Sequence, residues 1–253
     1  MPTLYKYLRP ERVDVRESGF IMLTRPRQFN DPFELKPYYE THEKFVLPPV
    51  KNATSEQLAW IARQQEIINN QVLPPSAKAT VLQNATQTIV VLSLAENRDS
   101  LLMWAHYAAS HTGFLIGFDS NQKILLIDSP HRHMAKVMYT TERPKKATFE
   151  EISNDELLLT KSKEWEYEGE WRILDSLYAA DGEPPKSAPD CWPFKFNPQA
   201  IREVIVGCRS GNLIGEIEKI LVLPKYKHVT LLKAAQDQKL YKLNIVPTWH
   251  QEW

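Results

Sequence analysis

The residues with the clearest chemical potential lie in Lys163-Glu164-Trp165-Glu166-Tyr167-Glu168-Gly169-Glu170-Trp171-Arg172. If a strand begins at Glu168, the two-residue period puts Glu168, Glu170 and Arg172 on one face. Trp171 and Ile173 then point the other way, into a core. Two close carboxylates repel, so one of them should titrate above its ordinary range, with Arg172 offsetting the repulsion. A strand with two carboxylates and an arginine on one face presents that face to water or to a cleft. A solvated edge strand with a salt-bridged face would give the same pattern. The flanking tryptophans favour a site.

A second stretch, Met103-Trp104-Ala105-His106-Tyr107-Ala108-Ala109-Ser110-His111, has helical spacing. Trp104, Tyr107 and His111 share one face at i, i+3 and i+7, and His106 points elsewhere. That stripe packs a core or forms a platform for a flat ligand. His111, near the helix end, is either a structural histidine or a hydrogen-bonding partner for substrate. In Phe29-Asn30-Asp31-Pro32-Phe33-Glu34, Asn30 suits a turn, while Asp31 and Glu34 suit a turn, a ribose hydroxyl or a cation. Tyr5 and Tyr7 alternate onto one face of the first strand and can stack on a heterocycle or line a core edge. His131 and His133 are close in sequence but lack a third ligand at a telling spacing, so a solvated loop is expected and no metal site is assigned. No Walker loop, GxGxxG, HExxH or GxSxG motif occurs.

The elements that would position these residues follow from local pattern. Strands are expected at 3–8, 20–23, 88–94, 114–118, 136–139, 168–174 and 201–206, and a strand hairpin in the last thirty residues. Helical segments are expected at 11–17, 100–110 with Asp99 as the cap, 155–163 and 213–223. Residues 54–87 read as two helices interrupted by Pro74-Pro75, with Ser55 and Ser76 as caps, forming a helical insertion. Residues 181–193 hold four prolines and read as an exposed loop. Strands and helices mix without regular βαβ alternation, so the expected class is α+β, as one domain over 1–253.

The bulk composition fits that class. Of 253 residues, 43% are hydrophobic, ample for a packed core, and 25% are charged. A formal net charge of zero argues against an obligatory nucleic-acid partner, which would need a basic surplus. The two cysteines, Cys191 and Cys208, are too few for a disulfide framework and read as ordinary thiols. No apolar leader or membrane-length apolar run is present, so a cytoplasmic location without a membrane partner is expected.

Together the stretches Leu4–Tyr7, Phe29–Glu34, Met103–Phe114 and Trp165–Arg172 resemble the bacterial family catalogued as domain of unknown function 2971. A second resemblance is to ADP-ribosyltransferases, through Glu168-Gly169-Glu170, which is similar to the Glu-x-Glu pair of one branch. Where those enzymes carry an early-strand His or Arg, this chain has Tyr5-Lys6-Tyr7. Ser93 is the nearest candidate for their middle-strand Ser or Tyr. The resemblance implies a split, two-sheet mixed β core binding NAD as substrate, and a toxin or phage-defence role. It implies Glu170 as stabiliser of the ribose cation, Glu168 acting on the acceptor, and His111 near the chemistry. Tyr5, Tyr7, Asn30, Asp31, Trp104, Tyr107 and Arg172 would hold the nucleotide, and the acceptor would be protein or nucleic acid.

Two other functions fit the residues. A metal-dependent hydrolase or nuclease would use Asp31, Glu34, Glu168 and Glu170 as oxygen ligands. A non-catalytic nucleotide- or protein-binding module would use the aromatics alone.

Overall fold

Apolar residues two apart along successive strands build the core of this protein. The computed structural model describes residues 2–13, 19–34, 38–39, 54–55, 57–60, 62–63, 89–121, 132–146, 154–176 and 191–248. In chain order the strands are β1 (Thr3–Leu8), β2 (Phe20–Thr24), β3 (Tyr38–Tyr39), β4 (Ile89–Ala95), β5 (Phe114–Asp119), β6 (His133–Lys136), β7 (Met138–Thr140), β8 (Lys145–Lys146), β9 (Thr160–Ser162), β10 (Glu170–Ser176), β11 (Cys191–Lys195), β12 (Ile201–Val206), β13 (Thr230–Gln236) and β14 (Leu243–Pro247). Among the described residues, the helices with defined bounds are α1 (Leu101–Tyr107), α2 (Asn154–Leu159) and α3 (Leu213–Leu221). The architecture is mixed α/β on a mostly open sheet with few helices.

The main sheet runs β11-β2-β4-β1-β5-β12-β13-β14, with β10 and then β6 added beside β4. Its pairings are antiparallel except β12 with β13, which α3 separates in sequence. One side of β4 lies along β10 from Ile89 to Ala95. The other side is shared, because Val91 pairs with Thr24 of β2 and Ala95 pairs with Tyr5 of β1. The sheet therefore forks at β4, with Ser93 between the branches.

Strand alternation sorts side chains to the two faces. Leu4 and Leu8 of β1, with Phe114, Ile116 and Phe118 of β5, join the larger core cluster on the face covered by α3. Tyr5, Tyr7 and Leu115 face the other way, toward Met103 and Trp104 of α1. On β10, Trp171 and Ile173 pack toward the larger cluster, as alternation predicts. Glu170 and Arg172 share the opposite face with Leu174, which packs on Leu158 and Leu159 of α2. Each such fully buried aliphatic or Phe side chain contributes roughly 1.5–3 kcal/mol. Gly113 is fixed by close approach, since a Cβ there would sit 2.1 Å from the Leu8 carbonyl oxygen.

Several boundaries differ from expectation for local reasons. The N-cap of α1 is Ser100, whose hydroxyl accepts from the Met103 amide, rather than Asp99. The helix stops at Tyr107 because Ala109, Ser110 and His111 all take positive φ. The expected helix 155–163 ends at Leu159 and gives way to β9. A 3-10 helix (Lys163–Glu168) follows, capped by Ser162, whose hydroxyl accepts from Glu164. The expected strand at 168 begins instead at Glu170, because Gly169 closes that 3-10 helix in the left-handed conformation. Residues 191–193, expected as loop, open β11. Among the described residues β11 pairs with β2 alone, an edge position that tolerates Pro193.

Residues 55, 57–60 and 62–63 are helical, and Thr54, not Ser55, caps them. Its hydroxyl accepts from Gln57, whose side chain accepts from the Thr54 amide. The remainder of the expected insertion, with Ser76 and Pro74-Pro75, lies outside the described residues, as do His131 and most of 181–193. Among the described residues, no helix is long and apolar enough to cross a membrane.

Candidate active site

The carboxylate face of β10 is buried, not solvated. Glu34, Lys161, Glu168, Glu170 and Arg172 are all buried, with Arg172 only 1% exposed. Burying charges is costly unless each is paired and hydrogen-bonded, and here each is. Arg172 Nε donates to Glu170 Oε1 at 2.9 Å, and Nη2 donates to Glu170 Oε2 at 3.0 Å. The same guanidinium donates to Glu34 Oε1 and to the Leu158 carbonyl. Lys161 Nζ lies 2.6 Å from Glu168 Oε2, 3.3 Å from Glu170 Oε2 and 3.8 Å from Glu34 Oε2. Three carboxylates thus meet two cations in direct contact.

Hydroxyls and rings complete the centre. Tyr107 donates to Glu168 Oε1 at 2.5 Å and accepts from Asn30 Nδ2 at 2.7 Å. The Tyr139 hydroxyl accepts from the Glu170 amide at 2.8 Å. The Phe29 ring lies over Arg172, with 4.7 Å to its centroid, and Trp165 lies over Lys161 at 4.9 Å.

The environment separates the titrations of the carboxylates. Burial would raise Glu170, but the charge and hydrogen bonds of Arg172 outweigh it. Lys161 and the Ser93 hydroxyl add to that, and Glu170 falls to about 2. Burial raises Glu34 despite Arg172 and Lys161 beside it. Repulsion was expected to raise a carboxyl of the Glu168–Glu170 pair; Glu170 instead falls, and the carboxyl that rises is Glu34, through burial. Burial also raises the Tyr107 phenol, helped by Glu168.

A cavity of about 270 Å³ opens on this centre at the fork of the sheet. Tyr5, Lys6 and Tyr7 of β1, Ser93 of β4, and Phe29 and Asn30 line it beside the charged residues. Glu168, Glu170, Arg172, Tyr107, Asn30, Tyr5 and Tyr7 thus come together. The tyrosine hydroxyls of β1 are engaged elsewhere, with Tyr5 donating to Glu203 and Tyr7 to the Asn97 carbonyl. They offer ring surface to the cavity.

Three expected residues do not join. Trp104 is fully buried behind Tyr7, its indole N–H donating to the Arg98 carbonyl at 2.9 Å, so it is core and not a ligand platform. His111 left the helix face when α1 ended at Tyr107. It stacks on Trp104 and lines a different cavity with Cys208, Arg209 and residues 236–243. Asp31 builds a turn, its Oδ1 accepting from the Phe33 amide at 2.8 Å, and does not line the cavity.

Lys161 was missed by sequence reading, because it fell inside an expected helix with no pattern of its own. The β-branched Thr160 and the capping Ser162 were the signals for the break that exposes it to the glutamates. The four-carboxylate metal set is not assembled. Asp31 is elsewhere, and the oxygens of Glu34, Glu168 and Glu170 face Lys161 and Arg172. Among the described residues, no group of three His, Cys, Asp or Glu side chains is placed to hold a metal.

The fold and site define a mixed α/β protein with a desolvated carboxylate–cation centre at a sheet fork. Residues 103–173, which carry most of α1, the first four residues of β10 and most of that centre, match the family model described as Protein of unknown function (DUF2971). This supports the resemblance read from the motifs. No curated protein and no solved structure matches the chain.

Proposed function

We propose that this protein is an ADP-ribosyltransferase-like enzyme that takes NAD as its substrate, acting as a toxin or phage-defence effector. The observation that carries this reading is the pairing of Glu168 and Glu170 around Lys161 at the floor of a tyrosine-lined cavity. Arg172 and Lys161 hold Glu170 ionised, so a full negative charge is presented there. A cationic pyridinium ring, or a ribose acquiring positive charge, is stabilised there. At about 270 Å³ the cavity lies just below the usual range of ligand pockets, roughly 300–1,000 Å³. It suits the nicotinamide–ribose end of NAD.

In this reading the bond between ribose C1′ and the nicotinamide nitrogen breaks, and its electron pair neutralises the ring. Glu170, ionised at any physiological pH, stabilises the developing ribose cation. The acceptor forms the new bond at C1′ and gives its proton to Glu168, whose other oxygen Tyr107 holds. Tyr5, Tyr7 and Phe29 offer ring faces to nicotinamide.

A second reading, a non-catalytic nucleotide-binding module, is favoured by one observation. Both oxygens of Glu168 and of Glu170 already have partners, as in a structural ion-pair network. Nicotinamide release from NAD separates the two, measured with and without EDTA and with a cell lysate as a source of acceptors. EDTA-resistant release supports the enzyme. Intact NAD recovered from the bound complex in every arm supports the module, and release that EDTA abolishes supports a metal-dependent hydrolase.

A further inference from the structure

Lys6 is the cavity cation that the centre does not use. It sits on β1 beside the fork, and its Nζ donates to the Ser93 main-chain oxygen at 3.0 Å. That oxygen lies between the bridge from β4 to β2 at Val91 and the bridge to β1 at Ala95. The ammonium thus supplies a donor where the fork leaves no strand. An ammonium has three N–H donors. Among the described residues, no second acceptor and no carboxylate within 4 Å engages Nζ, whereas Lys161 and Arg172 hold carboxylates directly. Two donors therefore remain on a residue that lines the cavity.

Burial lowers Lys6 to about 8. Glu170 and Glu168 act against the fall, and Arg12 adds to it. At neutral pH the amine is still mostly charged. A partly desolvated cation without a counter-ion is stabilised by any anion that reaches it. Glu168 and Glu170, close enough to act on Lys6 through their charge, repel anions from their own side. A ligand must then present its anionic group to Lys6 and its cationic or neutral part to the carboxylates. A ribose linking a pyridinium ring to a phosphate has that polarity.

We propose that Lys6 anchors a phosphoryl group of the substrate, so that the cavity recognises the mononucleotide half of NAD. This rests on the NAD reading and deepens it. The test compares nicotinamide mononucleotide with nicotinamide riboside, which differ by one phosphate, binding to wild type, Lys6→Met and Lys6→Arg by calorimetry. Lys6→Met also removes the bond to Ser93, so Lys6→Arg, which keeps the charge, controls for folding.

Wild type should bind the mononucleotide about tenfold or more tightly than the riboside, as expected for a charge-assisted hydrogen bond. Lys6→Met should erase that preference and Lys6→Arg should restore most of it. Equal binding of the two ligands to wild type, or a preference that survives in Lys6→Met, overturns the role of Lys6 while leaving the NAD reading intact. If wild type binds neither ligand, the NAD reading fails. Acetylation of Lys6 by acetic anhydride, with and without inorganic pyrophosphate and read by peptide mass spectrometry, then decides the phosphoryl site alone. Protection supports it and unchanged labelling overturns it. The same readout on wild type decides if Lys6→Met does not fold.

Discussion

Lys161 Nζ and Glu168 Oε2 form a 2.6 Å ion pair, both side chains buried and only seven residues apart in sequence. The link requires β9 to end at Ser162 and the 3-10 helix to double back. Lys161→Met should therefore cost roughly 3–5 kcal/mol, the usual penalty for orphaning a buried charge. Urea unfolding measures it. The double variant Lys161→Met with Glu168→Gln should recover part of the loss, and simple additivity of the two changes would show that the pair is not coupled.

Glu170 and Glu34 should shape acid stability in opposite directions. Glu170 is held at about 2, below its ordinary 4.5. Its ionised form therefore stabilises the fold above about pH 4.5, and that contribution is lost as pH falls toward 2. Burial raises Glu34, so its ionisation weakens the fold as pH rises above 4.5. Urea midpoints between pH 2 and 7 should show a shallower acid slope for Glu170→Gln than for wild type, and a steeper one for Glu34→Gln. At pH 7, Glu34→Gln should be the milder substitution.

The sheet face of this site was legible in the sequence because strand alternation is a local rule. Trp171 and Ile173 went inward, Glu170 and Arg172 went together, and Tyr5 and Tyr7 fell on one face. Two features were not legible. The fork at β4 is set by which strands pair with Val91 and Ala95, and long-range pairing leaves no mark on Ser93 or Lys6. The end of α1 was misplaced because residues 108–111 have helical composition. The positive φ angles of Ala109, Ser110 and His111 accompany the approach of Gly113 and Gly207 to neighbouring backbone. His111 and Trp104 were assigned to the site on a helical period that ends before reaching His111.

Tyr107 is the hydroxyl that holds Glu168 Oε1 and receives Asn30. Tyr107→Phe leaves that buried oxygen unpaired and should destabilise by about 1–3 kcal/mol. Asn30→Ala removes an exposed partner and should change stability little. A thermal-melt comparison distinguishes them. Equal effects would mean that Glu168 does not depend on the phenol.

Gly169 sits at φ 51°, ψ 47° between the two glutamates. An L-residue in that region costs roughly 1–2 kcal/mol. Gly169→Ala should lower stability by that amount, and Gly169→Asn, which tolerates the conformation better, by less. If Gly169→Ala is neutral, the turn is not what sets the spacing of Glu168 and Glu170.

The most direct measurement is the initial rate of nicotinamide release from NAD by wild type and Glu170→Gln, with circular dichroism confirming that both are folded. The substitution keeps the shape of the side chain and removes its charge. EDTA-resistant release by wild type, reduced by a hundredfold or more in the variant, about 2.7 kcal/mol of lost transition-state stabilisation, is the predicted result. Equal rates from two folded proteins, or no release by wild type with or without a lysate acceptor, would contradict the account.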